Sequence, residues 1–422
     1  MKSFVLAAVS AAALLTACGG GGNSGETKAK ITSVKVVGAS LADSGTFGFK
    51  FTVQSGTGTP YKVYPERIAA TYGLPALCPA YVYSPTTSPF PYAANTAQTG
   101  CTNYAIAASA VNYVVGASTP GTGLFGTAYD IAPTSLIRQL ADLATATGTF
   151  SSGDLLIVGE GSANDASNLA TAYLLSRATS NSCAAAPCAA TGDFRQLMAT
   201  LIDSTTLASL TDIQAGGYYM QLLAKKLVTA VKTSALDKGA SRVVMLNTLD
   251  VTKTPKFQAT LETVTINQGA VAAGQIQQLL QGWIKAYNTA LDSEVAALGS
   301  NSSKVAVVDF YTNFNAEMDD PVQYGLTNTS GTVCDQIYSQ ATSVTPTVQT
   351  AGATSLSPTY ASGAVVGYCK DTTASTVTPT ANNTGTTWWQ TYLYADNFHP
   401  TPYGHQLLAQ LVGKKLTEAG WL

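Results

Sequence analysis

Charge, histidine and basic clusters are all scarce in this sequence. Only 11% of its 422 residues are charged, the formal net charge is -2, and lysine and arginine form no run. Nucleic-acid-binding proteins usually carry a basic patch, so we expect no nucleic-acid partner. A surface with so little charge and so much Thr, Ser, Ala and Gly is more typical of an exported protein than of a cytosolic one.

The ligand pattern of a zinc site is also missing. No Cys-x-x-Cys segment occurs, and the sequence has 2 histidines, so a metal site is a poor explanation for its cysteines. Beyond Cys18 the cysteines are even in number, which predicts disulfide bonds in an exported chain. The simplest of the possible pairings joins sequence neighbours, namely Cys78 with Cys101, Cys183 with Cys188, and Cys334 with Cys369.

The N-terminus contains the longest apolar run, although it is too short for a confident membrane span. Residues 1–17 have one lysine followed by this run and are predicted to be a signal peptide. Leu15-Thr16-Ala17-Cys18 resembles the lipobox of bacterial lipoproteins, which predicts lipidation of Cys18. An ordinary cleavage site followed by a chance cysteine is the alternative. Residues 18–30 then form a flexible tether, and we expect an exported lipoprotein, periplasmic or extracellular, on the bacterial outer membrane or cell surface.

Residues 31–422 are expected to form one α/β domain with a large core. Apolar runs predict strands at 31–37, 153–159, 241–249 and 304–311, and a short strand that runs into a turn is predicted at 101–108. Helical periodicity predicts helices at 64–73, 135–146, 215–238, 276–298 and about 402–419. This alternation predicts a mostly parallel sheet covered on both faces. Loop insertions are predicted at about 74–101, 178–192 and 335–387, and no internal repeat is present.

Ser40 follows the first predicted strand, at the end of a sheet where ligands of open parallel sheets bind. It could serve as a nucleophile, or merely as the N-cap of a following helix. A serine nucleophile needs a base, and His399 lies in a loop three residues after Asp396, a carboxylate that could orient it. His405 lies inside the last predicted helix, where a packing role is expected.

Acyl transfer also needs hydrogen-bond donors for the oxyanion. Asn164 offers a side-chain amide after the second long strand, and the backbone N–H groups near Ser40 and Ala108 could supply the others. An asparagine in a polar turn is, however, often only a turn residue.

Four segments together resemble the blocks of a known family. They are Gly38-Ala39-Ser40-Leu41 with Asp43-Ser44-Gly45, residues 103–108, Ser162-Ala163-Asn164-Asp165, and residues 396–399. These segments are similar, in this order, to the four conserved-sequence blocks of the SGNH (GDSL) esterases and lipases. The first is the GDSL block, the second has no motif name here, the third is the GxND block and the fourth is the DxxHP block. Residues 238–242, 247–250 and 324–328 resemble the secreted, autotransporter-passenger type of these enzymes, here combined with a lipid anchor. The resemblance covers roughly residues 31–420.

The resemblance implies a three-layer, flavodoxin-like fold with a five-stranded, mostly parallel sheet in the order 2-1-3-4-5. It also implies that Ser40 is the nucleophile, His399 the base and Asp396 its orienting carboxylate. The oxyanion hole would consist of the backbone N–H groups of Ser40 and Ala108 and the side chain of Asn164. No metal or cofactor is implied.

Three positions depart from the family pattern. Ala39 replaces the Asp that names the GDSL block, so we expect altered support of the turn and not loss of activity. Ala108 and Ser162 stand where the family has glycine. The backbone N–H survives these changes if the turn does not need a positive φ, which alanine adopts poorly.

These observations predict a carboxylic-ester hydrolase, an esterase or lipase, that acts through an acyl-enzyme as a monomer on a small-molecule or lipid ester. An O-acetyl-polysaccharide esterase and a surface-anchored binding module that has lost catalysis are the alternatives. The loop after Cys78 contains the aromatic residues Tyr81, Tyr83, Phe90 and Tyr92. This aromatic loop could shape the substrate pocket together with the Thr-rich loop before Trp388, or its rings could simply pack the loop down.

Overall fold

The computed structural model of this chain describes residues 30–115, 127–178, 182–188, 192–340, 369–377, 379 and 385–422. The predicted signal peptide, Cys18 and the tether up to residue 29 lie outside the described residues. Much of the predicted 335–387 insertion also lies outside them. Within the described residues, the four long strands and the five helices that the sequence predicts are all present, together with several helices that it does not predict.

The strands are mostly short. They are β1 (Ser33–Val37), β2 (Tyr81–Tyr83), β3 (Tyr92–Ala94), β4 (Val114–Val115), β5 (Thr127–Ala128), β6 (Asp154–Val158), β7 (Val243–Leu246), β8 (Val305–Val308), β9 (Asn328–Thr332) and β10 (Tyr392–Tyr394).

The α-helices range from single turns to 27 residues. They are α1 (Tyr64–Thr71), α2 (Leu136–Thr147), α3 (Gly161–Ala178), α4 (Asp193–Met198), α5 (Ser204–Ser209), α6 (Asp212–Ser234), α7 (Pro255–Gln268), α8 (Ala270–Ala296), α9 (Phe310–Asp319), α10 (Val333–Gln340), α11 (Asp371–Ala374) and α12 (Pro402–Glu418). Short 3₁₀ helices cover Leu236–Lys238, Val251–Lys253, Gly299–Lys304, Pro321–Tyr324 and Gly385–Thr391.

The central sheet is parallel and has the order β1-β6-β7-β8. Every residue of β6 and β7 is buried, which is the pattern of strands covered on both faces. Helices α1 and α12 pack together, and α6 packs against α2 and α8. The mixed α/β class with a mainly parallel sheet flanked by helices is therefore confirmed.

The described residues form four strands in this sheet, although five were expected. The predicted second strand, at 101–108, reaches the free edge of β1 but makes a single parallel bridge, between Val36 and Asn103. The side-chain oxygen of Asn103 accepts the N–H of Ala105 at 2.9 Å, so the chain turns away before the ladder can extend. The edge position and the order expected for this segment are kept, but the strand is reduced to one bridge.

Three disulfide bonds tie the loops of the domain. Cys78 is bonded to Cys101, Cys183 to Cys188, and Cys334 to Cys369, so the predicted pairing of sequence neighbours is confirmed. Such bonds suit an oxidising, exported environment. Among the described residues, no helix combines the length and the apolar character needed to cross a bilayer.

Candidate active site

Ser40 lies in a tight turn directly after β1. The N–H of Ala42 donates to the carbonyl of Ala39 at 3.1 Å, and the next helix begins only at Tyr64, so the N-cap interpretation of Ser40 is wrong. A Cβ on Gly38 would lie 3.2 Å from the Cα of Gly159. The absence of a side chain at Gly38 therefore lets the end of β1 approach the end of β6 closely, and the turn that carries Ser40 sits at the carboxyl edge of the sheet.

A second turn, at residues 106–109, lies beside the Ser40 turn. The N–H of Ile106 donates to the carbonyl of Gly38 at 3.3 Å, and the N–H of Ser109 donates back to Ile106 at 3.1 Å. Ala108 has a φ of 64° in this turn and is the one residue other than glycine with a positive φ in the described part of the chain. The expectation that an alanine suffices here holds only with strain, because this turn does need the left-handed conformation that the family's glycine supplies.

The N–H groups around these two turns are nearly all used. Gly38 donates to Gln139 at 2.9 Å, Leu41 to Glu160 at 2.8 Å and Ala107 to Asp43 at 3.0 Å. The N–H groups of Ser40 and Ala108, in contrast, meet no acceptor among the residues that the structure describes. Ser40 is buried, where donors without an acceptor are rare, whereas Ala108 is exposed to solvent. Both N–H groups are available to a ligand oxygen.

Asn164 lies in the first turn of α3 and not in a loop, because α3 already begins at Gly161. One N–H of its side-chain amide donates to the carbonyl of Ser109 at 2.8 Å. This contact brings the amide next to the turn that carries Ala108. The neighbouring Asp165 accepts the N–H groups of Val111 and Asn112, at 2.7 and 3.0 Å, and holds the same segment against α3.

His399 and Asp396 form a close pair in the loop between β10 and α12. Nδ1 of His399 lies 2.8 Å from Oδ2 of Asp396, and Oδ1 accepts the N–H groups of Phe398 and His399 at 2.9 and 2.7 Å. Burial alone would raise the pKa of Asp396, but the adjacent imidazole and these N–H donors hold that pKa below its ordinary value. An ionised carboxylate only accepts hydrogen bonds, so Nδ1 carries the proton and Nε2 is left as the basic nitrogen.

Glu160 holds the serine turn by a buried hydrogen bond. It is the first residue after β6 that carries a side chain, it is 3% exposed, and its Oε1 accepts the N–H of Leu41, the residue after Ser40. Burial raises the pKa of Glu160 to about 7, while the N–H of Leu41 and the His399 imidazole pull it down. The imidazole therefore lies near the carboxylate that holds the serine turn.

Asp43 joins the first two sequence blocks. Its Oδ1 accepts the N–H groups of Gly45 and Thr46, both at 2.8 Å, and Oδ2 accepts the N–H of Ala107. Burial raises the pKa of Asp43 to about 6 although these donors lower it. The two turns that carry Ser40 and Ala108 are thus held together by one buried carboxyl group.

His405 has the expected packing role. It is fully buried, its Nε2 lies 3.3 Å from the carbonyl oxygen of Phe51, and burial lowers the pKa of its imidazole to about 3. Thr401 caps the same helix, α12, by accepting the N–H of Gly404 at 3.1 Å. His405 is therefore neutral and is no competitor of His399 as a base.

The sequence comparison agrees with this arrangement. A family model described as GDSL-like Lipase/Acylhydrolase matches residues 34–412, which includes all four blocks. The chain belongs to this family. A comparison with curated proteins finds no significant match. The GDSL-like family is one of lipases and acylhydrolases, so this member belongs with the ester hydrolases.

Sequence reasoning about this GDSL-like hydrolase missed the aromatic row beside His399. The ring centroids of Phe51 and His399 are 4.9 Å apart. The ring centroid of Phe47 lies 5.9 Å from that of Phe51 and 5.3 Å from that of Tyr83. Tyr92 completes the row at 6.1 Å from Phe47. Tyr83 and Tyr92 of the predicted aromatic loop therefore belong to a row of contacting rings that ends at His399. The alternation of Phe47, Phe49 and Phe51 was the available signal.

We predict that Ala108→Gly stabilises this GDSL-like hydrolase. Relief of the left-handed alanine is worth about 1–2 kcal/mol, and the greater flexibility of unfolded glycine costs about 0.5–1 kcal/mol. The free energy of unfolding, measured by urea titration, should rise by about 0.5–1 kcal/mol, with ester hydrolysis unchanged. Ala107→Gly is the matched control, because its φ is not positive and the same change there should destabilise. Equal destabilisation by both changes would show that the turn is unstrained.

We also predict a pH-dependent effect of Glu160→Gln. The folded-state pKa of about 7 lies above the ordinary 4.5, so the folded protein holds more protons between these values and its stability falls as pH rises through them. Glutamine keeps an acceptor for Leu41 but does not ionise. The fall in unfolding free energy between pH 4.5 and 7 should shrink by up to about 3 kcal/mol. Glu262→Gln, at an exposed site on α7, should leave the fall unchanged; an identical pH dependence in both variants would contradict the prediction.

Proposed function

We propose that the protein is a carboxylic-ester hydrolase that uses Ser40, His399 and Asp396 as a catalytic triad. The observation that carries the proposal is the Asp396–His399 pair, with Nδ1 and Oδ2 2.8 Å apart, in a chain whose other histidine is buried and neutral. Family membership supports the reaction class.

In the proposed mechanism, Oγ of Ser40 attacks the ester carbonyl while Nε2 of His399 takes the serine proton. Asp396 holds the resulting imidazolium by its hydrogen bond to Nδ1. The C–O bond then breaks, and His399 gives its proton to the leaving alcohol. Water, deprotonated by His399, hydrolyses the acyl-enzyme and restores Ser40.

The proposed oxyanion hole explains the unused donors. The N–H groups of Ser40 and Ala108 would both bind the negative oxygen of the tetrahedral intermediate. Asn164 has two N–H bonds on Nδ2, of which Ser109 accepts one, so the second would complete the set. Each such donor is typically worth about 10²–10³-fold in kcat.

We further propose that the enzyme acts outside the cytoplasm as a monomer, anchored by a lipid on Cys18. The disulfides and the lipobox-like segment at residues 15–18 support this location. A substitution of Cys18 by serine should release the protein from the membrane fraction without changing its specific activity.

Labelling by a serine-reactive fluorophosphonate tests the proposed nucleophile. Purified protein with intact disulfides should hydrolyse p-nitrophenyl acetate, lose this activity on labelling, and carry the label on Ser40 in a peptide map. Absence of both hydrolysis and labelling would favour the inactive binding module. A label on another serine would refute the assignment of Ser40.

A further inference from the structure

An apolar groove of about 590 Å³ runs between α3 and α7, with α8 at its base. Leu174 and Leu175 of α3 form one wall, Phe257 and Val264 of α7 the other, and Ile276 of α8 lies below them. Leu174 and Leu175 are half-buried and open to the groove, whereas Phe257 and Ile276 are 3% and 5% exposed. A groove with such walls suits a flexible hydrocarbon chain.

On α3 the lining of the groove begins at Thr171, about two helical turns after Asn164. Asn164, Ser167, Thr171 and Leu174 are three or four residues apart and therefore share one face of α3. Oγ of Ser167 lies 3.3 Å from Nζ of Lys256, so this face is turned towards the beginning of α7. The wall formed by Thr171 and Leu174 thus lies on the same face of α3 as the Asn164 side chain.

The other border of the groove mouth joins the histidine loop. The N–H of Lys256 donates to the carbonyl of Asn397 at 3.0 Å, and its Nζ lies 5.6 Å from the centre of the Phe398 ring. Burial lowers the pKa of Lys256, while the charge of Asp396 raises it. The end of the groove at Lys256 therefore lies beside the loop of Asp396 and His399.

The two ends of an ester are distinguished by the proposed mechanism. The acyl carbonyl oxygen must lie at the oxyanion donors, one of which is Asn164, whereas the leaving alcohol must lie at His399, which protonates it. A group that extends from the carbonyl along the Asn164 face of α3 is consequently the acyl group. The aromatic row of Phe51, Phe47 and Tyr83 instead borders His399 and the alcohol side.

We propose that this groove binds the acyl chain of the substrate and makes the enzyme selective for medium to long fatty acyl esters. The proposal rests on the proposed function. Asn164 and Leu174 are about 15 Å apart along the helix axis at the usual α-helical rise. An extended chain advances about 3.3–3.6 Å for every three bonds, so a chain that extends from Asn164 as far as Leu174 has about 12 carbons. Each methylene buried there should raise kcat/KM by up to about fourfold.

The test compares three esters: ethyl dodecanoate and dodecyl acetate, which carry the same twelve-carbon chain on opposite sides of the ester bond, and ethyl acetate, which lacks it. Wild type should hydrolyse ethyl dodecanoate much faster than ethyl acetate, as measured by kcat/KM. Leu174→Trp should fill the groove and lower kcat/KM for ethyl dodecanoate at least tenfold. The same variant should change kcat/KM for ethyl acetate and for dodecyl acetate less than about twofold.

Two further variants keep the result interpretable. Thr171→Trp, at an exposed position of the same wall, should give the same selective loss if Leu174→Trp fails to fold. Leu222→Trp is the matched control, because this half-buried leucine on α6 lines a separate groove with Ile137 and Ala230. It should leave the profile of all three esters unchanged.

Each contrary outcome has a distinct meaning. A loss confined to dodecyl acetate would show that the groove binds the alcohol chain, which would overturn the inference. Equal profiles for wild type and both groove variants would also overturn it while leaving the proposed function intact. A wild type that hydrolyses none of the esters would refute the proposed function itself.

Discussion

Ser40→Ala is expected to lower kcat for ester hydrolysis by about 10⁶-fold, the scale on which loss of a triad serine acts. Without Oγ no acyl-enzyme forms, and only the oxyanion donors and substrate binding still favour attack by water. KM should change little, since the side chain is small and lies beside the carbonyl without holding the rest of the substrate. The measurement is kcat for p-nitrophenyl acetate, with single-turnover analysis to exclude traces of wild-type enzyme.

Ser44→Ala is the control for this experiment. Ser44 lies in the same loop, is 7% exposed, and its Oγ has no hydrogen-bond partner among the described residues. Its loss should therefore leave kcat within about threefold of wild type, and both variants should have similar melting temperatures. A large fall in Ser44→Ala with activity retained in Ser40→Ala would move the nucleophile to Ser44.

Asp396→Asn should lower kcat by about 10⁴-fold, as the corresponding change does in other serine triads. The asparagine oxygen can still accept the N–H groups of Phe398 and His399, so the loop should keep its shape. Its NH₂ group then faces Nδ1 of His399, which must become an acceptor. The proton moves to Nε2, and the ring no longer offers a base to Ser40.

Asp335→Asn provides a charge-matched comparison for that variant. Asp335 is a partly buried carboxyl group near Asp396, with its pKa raised by burial and by the charge of Asp396. Within the part of the chain that the structure describes, Asp335 forms no hydrogen bond with the His399 ring. We expect the kcat of Asp335→Asn to stay within about threefold of the wild-type value. If Asp396→Asn retained more than a tenth of wild-type kcat, Asp396 would not be the orienting group.

The disulfide pairing and the last helix illustrate what local sequence information can predict. Cys334 and Cys369 enclose a loop that the composition already marks as an insertion, and their pairing needs no knowledge of distant segments. Thr401, Pro402 and Gly420 mark the limits of α12 because caps and stops depend on residues within one turn. The Asp396–His399 pair is equally local, since its partners are three residues apart.

Helices α3 and α7 show where local information is weak. α3 mixes alanine, asparagine, serine and threonine without a clear apolar stripe, and its first turn contains the Asn164 that reads as a loop residue. α7 has many threonines, which favour strands as much as helices. Packing of both helices against α8 decides their conformation, which propensity alone does not reveal.

The sequence by itself determined the order of the four long strands and of five helices, the disulfide pairs and the candidate residues Ser40, Asn164, Asp396 and His399, because each of these follows from short-range patterns. Tertiary structure decided the rest. The second strand shrank to a bridge at Asn103, Ala108 was forced to a φ of 64°, and Glu160 met the N–H of Leu41 across 119 residues of sequence. These features arise where distant segments compete for the same backbone donors and the same space, and no local pattern records that competition.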